Sequence, residues 1–229
     1  MTIFNRQRLT NEQFKLDIER MRNGWYSDKY FANILAMLNG VRQSGYVGDY
    51  ARDIGRDPQG LNVGDIEVEM QVFTRHSGQT IAVGVDKSLS MLRHGTGYND
   101  EADNWVETWD QLEVEAVHDG AMLHYHGNPK KVQPVIKVRG RYRDFALLET
   151  PILGVLSRGS RIATNVYEVL MAARNKPVLF FPARFDLHEV QAADGYAYEV
   201  AIERFNQDFG ERLNAFVSTD AQGDWWGGA

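Results

Sequence analysis

Near residue 140 the chain changes its apolar period, and no single layer of regular structure accommodates both halves. In residues 65–75, Ile66, Val68, Met70 and Val72 fall on one side and Glu67, Glu69 and Gln71 on the other. Strict alternation of this kind predicts a half-buried strand, antiparallel in most settings. Residues 111–119 and 132–139 alternate in the same way, with a turn at 127–129 between the later pieces. After Arg141 the spacing turns helical and predicts two helices, over 144–156 and 160–174, with Pro151 inside the first and Gly159 between them. Residues 177–181 form a continuous apolar run, as expected of a strand buried on both faces; a helix over 189–209 and a short run at 215–217 follow. Strand, helix and strand at this spacing predict a right-handed parallel unit, the building block of a barrel or a doubly wound sheet.

The N-terminal region supplies covering helices. Thr10 or Asn11 caps a helix over 10–20 that carries Phe14 and Ile18, runs on to Met21 and stops at Gly24. Ser27 or Asp28 caps a second, through Tyr30, Phe31, Ile34, Leu35 and Leu38, the spacing of a buried stripe. Residues 46–64, dominated by glycine, aspartate and Pro58, read as a loop, and 83–92 as a short helix. Up to residue 140, then, two helices are expected to cover a small antiparallel sheet.

Charge is segregated along the chain. Residues 130–184 hold eleven Lys or Arg against three acids, an excess of +8 inside a chain of net charge −6. Such a local excess suits a small polyanion better than nucleic acid, although on charge count alone a solvated basic surface is the better account. The glycine-rich stretch at 94–103 is acidic and makes a poor phosphate cradle. Zero cysteines exclude disulfides, thiol catalysis and thiolate metal sites, and a cytoplasmic location is expected. No apolar run is long enough for a membrane span, and the first residues lack the apolar core of a signal peptide, so no membrane partner is expected. His124 and His126 share one face of a possible strand but have no obvious third ligand, and no metal-ligating residue is assigned.

Ligands of parallel β/α folds sit at the carboxyl ends of the strands. Residues 181–184 and 218–220, at and just beyond the two late runs, should therefore face one pocket.

The string GRYRDFALLETPILGVLSRGSRIATN, over 140–165, resembles the corresponding region of the nicotinate phosphoribosyltransferase family, type II enzymes related to the nicotinamide and quinolinate phosphoribosyltransferases. Glu149-Thr150, Leu153-Gly154 and Ser160-x-Ile162-Ala163-Thr164 carry the likeness, supported by SDKYF at 27–31, EVEMQVFTR at 67–75, FFPAR at 180–184 and VSTD at 217–220. The resemblance implies an α/β protein, with an α+β sandwich domain over 1–140 and the start of an irregular β/α barrel over 141–229. It implies transfer of phosphoribosyl from phosphoribosyl pyrophosphate to the ring nitrogen of a pyridine base, nicotinate, in NAD biosynthesis, with nicotinamide or quinolinate as alternative bases. Mg²⁺ is implied as a cofactor and ATP as a possible one, and a homodimer with the site at its interface.

By the same resemblance Tyr30, with Asp28 before it, stacks on the pyridine ring across the dimer interface. Phe181 lies on the other face, and Arg184 near the ring substituent. Thr219 belongs to the same wall, and Asp220 falls where acid-specific members carry serine and amide-specific members aspartate. Arg139, Arg161 and His188 are placed for phosphate. Packing accounts for Tyr30 or Phe181 as well, and a wet surface for the arginines; no residue is assigned a catalytic role. Family members continue beyond the GDWWGGA of 223–229 with a G-T-x-x-H segment and further β/α units. A fragment is therefore expected, and a non-catalytic ligand-binding or dimerising module is the alternative reading.

Overall fold

The computed structural model describes residues 7–46, 62–174 and 176–228. Most of the expected loop at 46–64 lies outside the described residues. Helices α1 (Asn11–Phe14), α2 (Ile18–Arg22) and α3 (Lys29–Ser44) come first. Strands β1 (Glu67–Phe73) and β2 (Gly78–Ile81) lead into α4 (Val85–Gly95). Strands β3 (Gly97–Asn99), β4 (Trp105–Glu107), β5 (Glu113–Ala116), β6 (Met122–Tyr125) and β7 (Pro134–Arg141) follow. The long helices α5 (Glu149–Ala173) and α6 (Gln191–Phe209) and the short α7 (Asp220–Gly223) complete the order.

The alternating segments form the antiparallel sheet β1-β7-β5, with β7 central. Val72, Ile136 and Val138 point into the core, while the outer face opposes Glu69 and Glu113 to Arg139. Two two-stranded ribbons, β2-β6 and β3-β4, flank this sheet. The single helix expected over 10–20 is two: Lys15 takes a left-handed φ of 51°, and Asp17 recaps the chain by accepting from the Arg20 amide at 3.3 Å. In α3, which starts after Asp28 as expected but without a capping hydrogen bond from its side chain, only Phe31 of the apolar stripe is fully buried, and Tyr30 is 54% exposed.

The pair of helices expected after residue 144 is one continuous helix, α5. Pro151 stands at its third position, where no intrahelical N–H is required. Gly159 is no break: a Cβ there would come within 2.8 Å of the Val83 carbonyl, so the glycine lets α5 lie directly against the chain entering α4. Ile152 and Leu156 in the first half of α5 pack into the sheet's core with Phe145 and Leu148. Ala163, Tyr167 and Leu170 in its second half pack against Tyr196, Ala201 and Phe205 of α6.

The two short apolar runs are extended but carry no strand ladder among the described residues. The strand expected to be buried on both faces at 177–181 is buried on one: Val178 and Phe180 turn inward, and Leu179 and Phe181 are 65% and 52% exposed. Tyr198, completely buried on α6, ties this run to the second, since its hydroxyl donates to the Val178 carbonyl at 2.7 Å and accepts the Phe216 amide at 3.1 Å. Further along, Phe180 is linked to Ser218, and Ala183 to Thr219, through side chains described below. The matched order of contacts means that the two runs travel in the same direction, as the strand–helix–strand pattern predicts.

Candidate active site

Both extended runs end at one place. Phe181 leaves the first with its ring half exposed, and the Arg184 guanidinium lies 5.9 Å from that ring's centroid. Among the described residues Arg184 has no carboxylate partner. A flat ring laid on Phe181 and bearing an anionic substituent would meet both groups; each aromatic stack is worth roughly 0.5–1.5 kcal/mol beyond area burial. Arg158, on α5, holds the following loop in place by pairing with Asp186 and, at 2.8 Å, with buried Asp194. The Leu187 amide and Arg158 together hold the Asp186 carboxyl below the usual range. His188, 86% exposed, pairs with Glu189 at 3.3 Å and faces solvent. Thr219 lies against the first run, but its hydroxyl is committed to Gln191 at 2.7 Å. Asp220 is exposed beside it.

A second group gathers at the start of α5. The Asp28 amide donates to the Thr150 hydroxyl at 3.1 Å, which fixes the first turn of α3 against α5. The Tyr30 ring leans on Phe31, centroids 4.2 Å apart. Partial desolvation, followed by the nearby carboxylates Glu149 and Asp28, pushes the Tyr30 hydroxyl up, and burial pushes Glu149 up as well. Glu149 also borders a cleft of about 610 Å³ between the end of β1, β2 and α5. Three basic side chains, Arg75, His76 and Arg161, border this cleft against that single acid, with Ser157 and Asn165 supplying neutral polar groups. Such a lining suits an anion with several oxygens.

Among the described residues no hydrogen bond or ring contact joins Tyr30 to Phe181 or Arg184. Arg158, which anchors the Arg184 loop, and Arg161, which borders the cleft, are three residues apart on α5. Of the residues placed for phosphate, Arg161 is in the cleft and His188 is outside it. Arg139 is not available: on the central strand it pairs with Glu69 and, at 2.6 and 2.9 Å, with Glu113 and Glu115, so its guanidinium neutralises the outer face of the sheet. Arg75 and His76 were missed as site residues. Their signal was present, an arginine and a histidine directly after an alternating strand. Among the described residues no three His, Asp or Glu converge to hold a metal ion. No described helix is long and apolar enough to cross a membrane.

No family model matches the chain. Several solved structures do, among them the following two. Human nicotinic acid phosphoribosyltransferase superposes with a TM-score of 0.55 at 18% identity, over 88% of this chain and 38% of its own. Nicotinate-nucleotide pyrophosphorylase from Pyrococcus furiosus superposes with a TM-score of 0.53 at 21% identity, over 85% of this chain and 42% of its own. Over the matched part the chain has the fold of these two structures. It spans about two fifths of the length of these two structures.

Proposed function

We propose that the protein belongs to a nicotinate phosphoribosyltransferase, in which the ring nitrogen of nicotinate attacks C1 of phosphoribosyl pyrophosphate. A C–N bond forms, the bond from C1 to the pyrophosphate oxygen breaks, and pyrophosphate leaves with the electron pair. The observation that carries this reading is an Arg184 guanidinium that has no carboxylate partner among the described residues, beside the exposed Phe181 ring, at the common end of two parallel runs in this fold. In this reading Phe181 stacks on the pyridine ring and Arg184 takes its carboxylate. Arg75, His76 and Arg161 take phosphate oxygens in the cleft. Tyr30, exposed on α3, supplies the opposite aromatic face to a second copy of the chain, so the working unit is a homodimer. Asp220 sets the choice between acid and amide.

The test incubates the purified full-length protein that carries this chain, of which the chain covers about two fifths in the matched structures, with phosphoribosyl pyrophosphate, Mg²⁺ and, separately, nicotinate, nicotinamide and quinolinate, and measures mononucleotide and pyrophosphate. Nicotinate turnover that falls at least about tenfold in Arg184→Ala, the scale of one lost charged hydrogen bond, is expected. Asp220→Ser should raise the acid-to-amide ratio. Absence of mononucleotide from all three bases refutes the proposal.

A further inference from the structure

Two buried glutamines join the ends of the extended runs, and neither is among the ligand-facing residues above. Gln222 is completely buried. Its Oε1 accepts from the Ser218 amide and hydroxyl, both at 2.7 Å, and from the Thr219 amide at 3.2 Å. Its Nε2 donates to the Phe180 carbonyl on the other run through a long bond of 3.5 Å. Gln191, also buried, repeats the arrangement: Oε1 accepts from the Thr219 hydroxyl at 2.7 Å, and Nε2 donates to the Ala183 carbonyl at 3.4 Å. Each side chain therefore donates to one run and accepts from the other. A carboxylate can only accept and a guanidinium can only donate, so a primary amide is the group of this length that serves both.

The surrounding chain is shaped to admit them. Gly195 on α6 lets the backbone of α7 approach, since a Cβ there would lie 2.1 Å from the Gln222 carbonyl oxygen. The same carbonyl accepts the Trp226 indole N–H at 2.8 Å, which holds Gln222 from the opposite side.

We propose that Gln191 and Gln222 are positioning residues that set the distance between residues 180–184 and 218–220, and thereby the width of the slot entered by a flat anionic ring. Ala183, held by Gln191, precedes Arg184, and Thr219, held by both, precedes Asp220. The glutamine oxygens are already taken by protein donors, so they act through these neighbours and touch no ligand. The inference rests on the pyridine-base reading above.

Calorimetric titration of the protein with nicotinate and, separately, with pyrophosphate tests it, with Gln222→Met, Gln222→Glu, Gln191→Leu and Phe181→Ala as variants and a thermal midpoint recorded for each. Gln222→Met and Gln191→Leu should each weaken nicotinate about tenfold, the scale of unmade buried hydrogen bonds, with pyrophosphate affinity unchanged. Gln222→Glu keeps the acceptor toward Ser218 and Thr219 but loses the donor to Phe180 and buries a charge, so it should not recover that loss, and parent-like nicotinate binding in it would overturn the bridging role. If Phe181→Ala abolishes nicotinate binding while both glutamine variants bind as the parent does, the positioning role is wrong and the base reading stands. If nicotinate and pyrophosphate weaken together, the glutamines are only structural, and the proposal falls. If the parent protein binds none of nicotinate, nicotinamide or quinolinate, the base reading fails and takes this inference with it. Should Gln222→Met not fold, Gln191→Leu decides.

Discussion

Tyr198→Phe is the most direct probe of how the site is built, because it removes one hydroxyl and leaves the ring in place. That hydroxyl joins the two extended runs, donating to the Val178 carbonyl at 2.7 Å and accepting the Phe216 amide at 3.1 Å. The stacking of Phe180 on the Tyr198 ring, centroids 5.5 Å apart, does not depend on it. Leaving a buried donor or acceptor unpaired costs about 1–3 kcal/mol. Val178 and Phe216 lie on runs that water can partly reach, so the two losses together should come to about 1–2 kcal/mol. For a chain of this size each kcal/mol lowers the thermal midpoint by roughly 2–4 °C. Urea unfolding gives the stability change, and hydrogen exchange at the Phe216 amide reports whether the second run has come loose. A midpoint unchanged within error, with Phe216 exchange as slow as in the parent, would refute the claim that Tyr198 holds the runs together.

Two further perturbations test the interior. Burial, with Asp86 beside it, raises the Asp119 carboxyl to about 7, and burial with Glu203 beside it raises Glu199 to about 7. Both folded values exceed the ordinary 3.8 and 4.5, so the native state holds protons that the unfolded chain releases. The stability these groups contribute is complete below about pH 4 and is lost as pH rises through about 7, the direction that linkage requires. Urea midpoints measured across that window should fall with rising pH, and the fall should be shallower in Asp119→Asn, which still accepts from the Gly84 and Val85 amides; an unchanged slope would remove Asp119 from the explanation. Gly159→Ala should destabilise the protein by about 1–3 kcal/mol through overpacking against the Val83 carbonyl, and a chemical-denaturation midpoint equal to the parent's would show that α5 can move away at no cost.

The alternation of β1 and β7 was legible because a period of two says which side chains share a face whatever packs on it. The start of α3 at Asp28 was legible for the same reason, although the Asp28 side chain makes no capping hydrogen bond. The candidate ring site at Phe181 and Arg184 was reached through the strand–helix–strand order and a family resemblance. Gln191 and Arg158 had no local signal, because a glutamine or arginine in a helix looks the same whether it faces water or joins two distant runs; Gln222 had one in the capping box Thr219-x-x-Gln222, which says nothing of its bond to Phe180. Arg139 failed in the opposite way: one more cation in a basic stretch, it acquires three carboxylates only when β7 is placed between β1 and β5.

By itself the sequence determined the elements, their faces and the change of architecture near residue 140, all properties of side chains a few positions apart. Only the tertiary structure decided that α5 is one helix, that the two late runs are half-exposed and tied by Tyr198, and which cations remain free for a ligand. Each of these depends on distances between residues far apart in the chain: Gly159 against Val83, Tyr198 between Val178 and Phe216, and Arg139 among Glu69, Glu113 and Glu115. Local periodicity carries no record of such distances, because they exist only after the packed elements have excluded water and forced each polar group to find a partner.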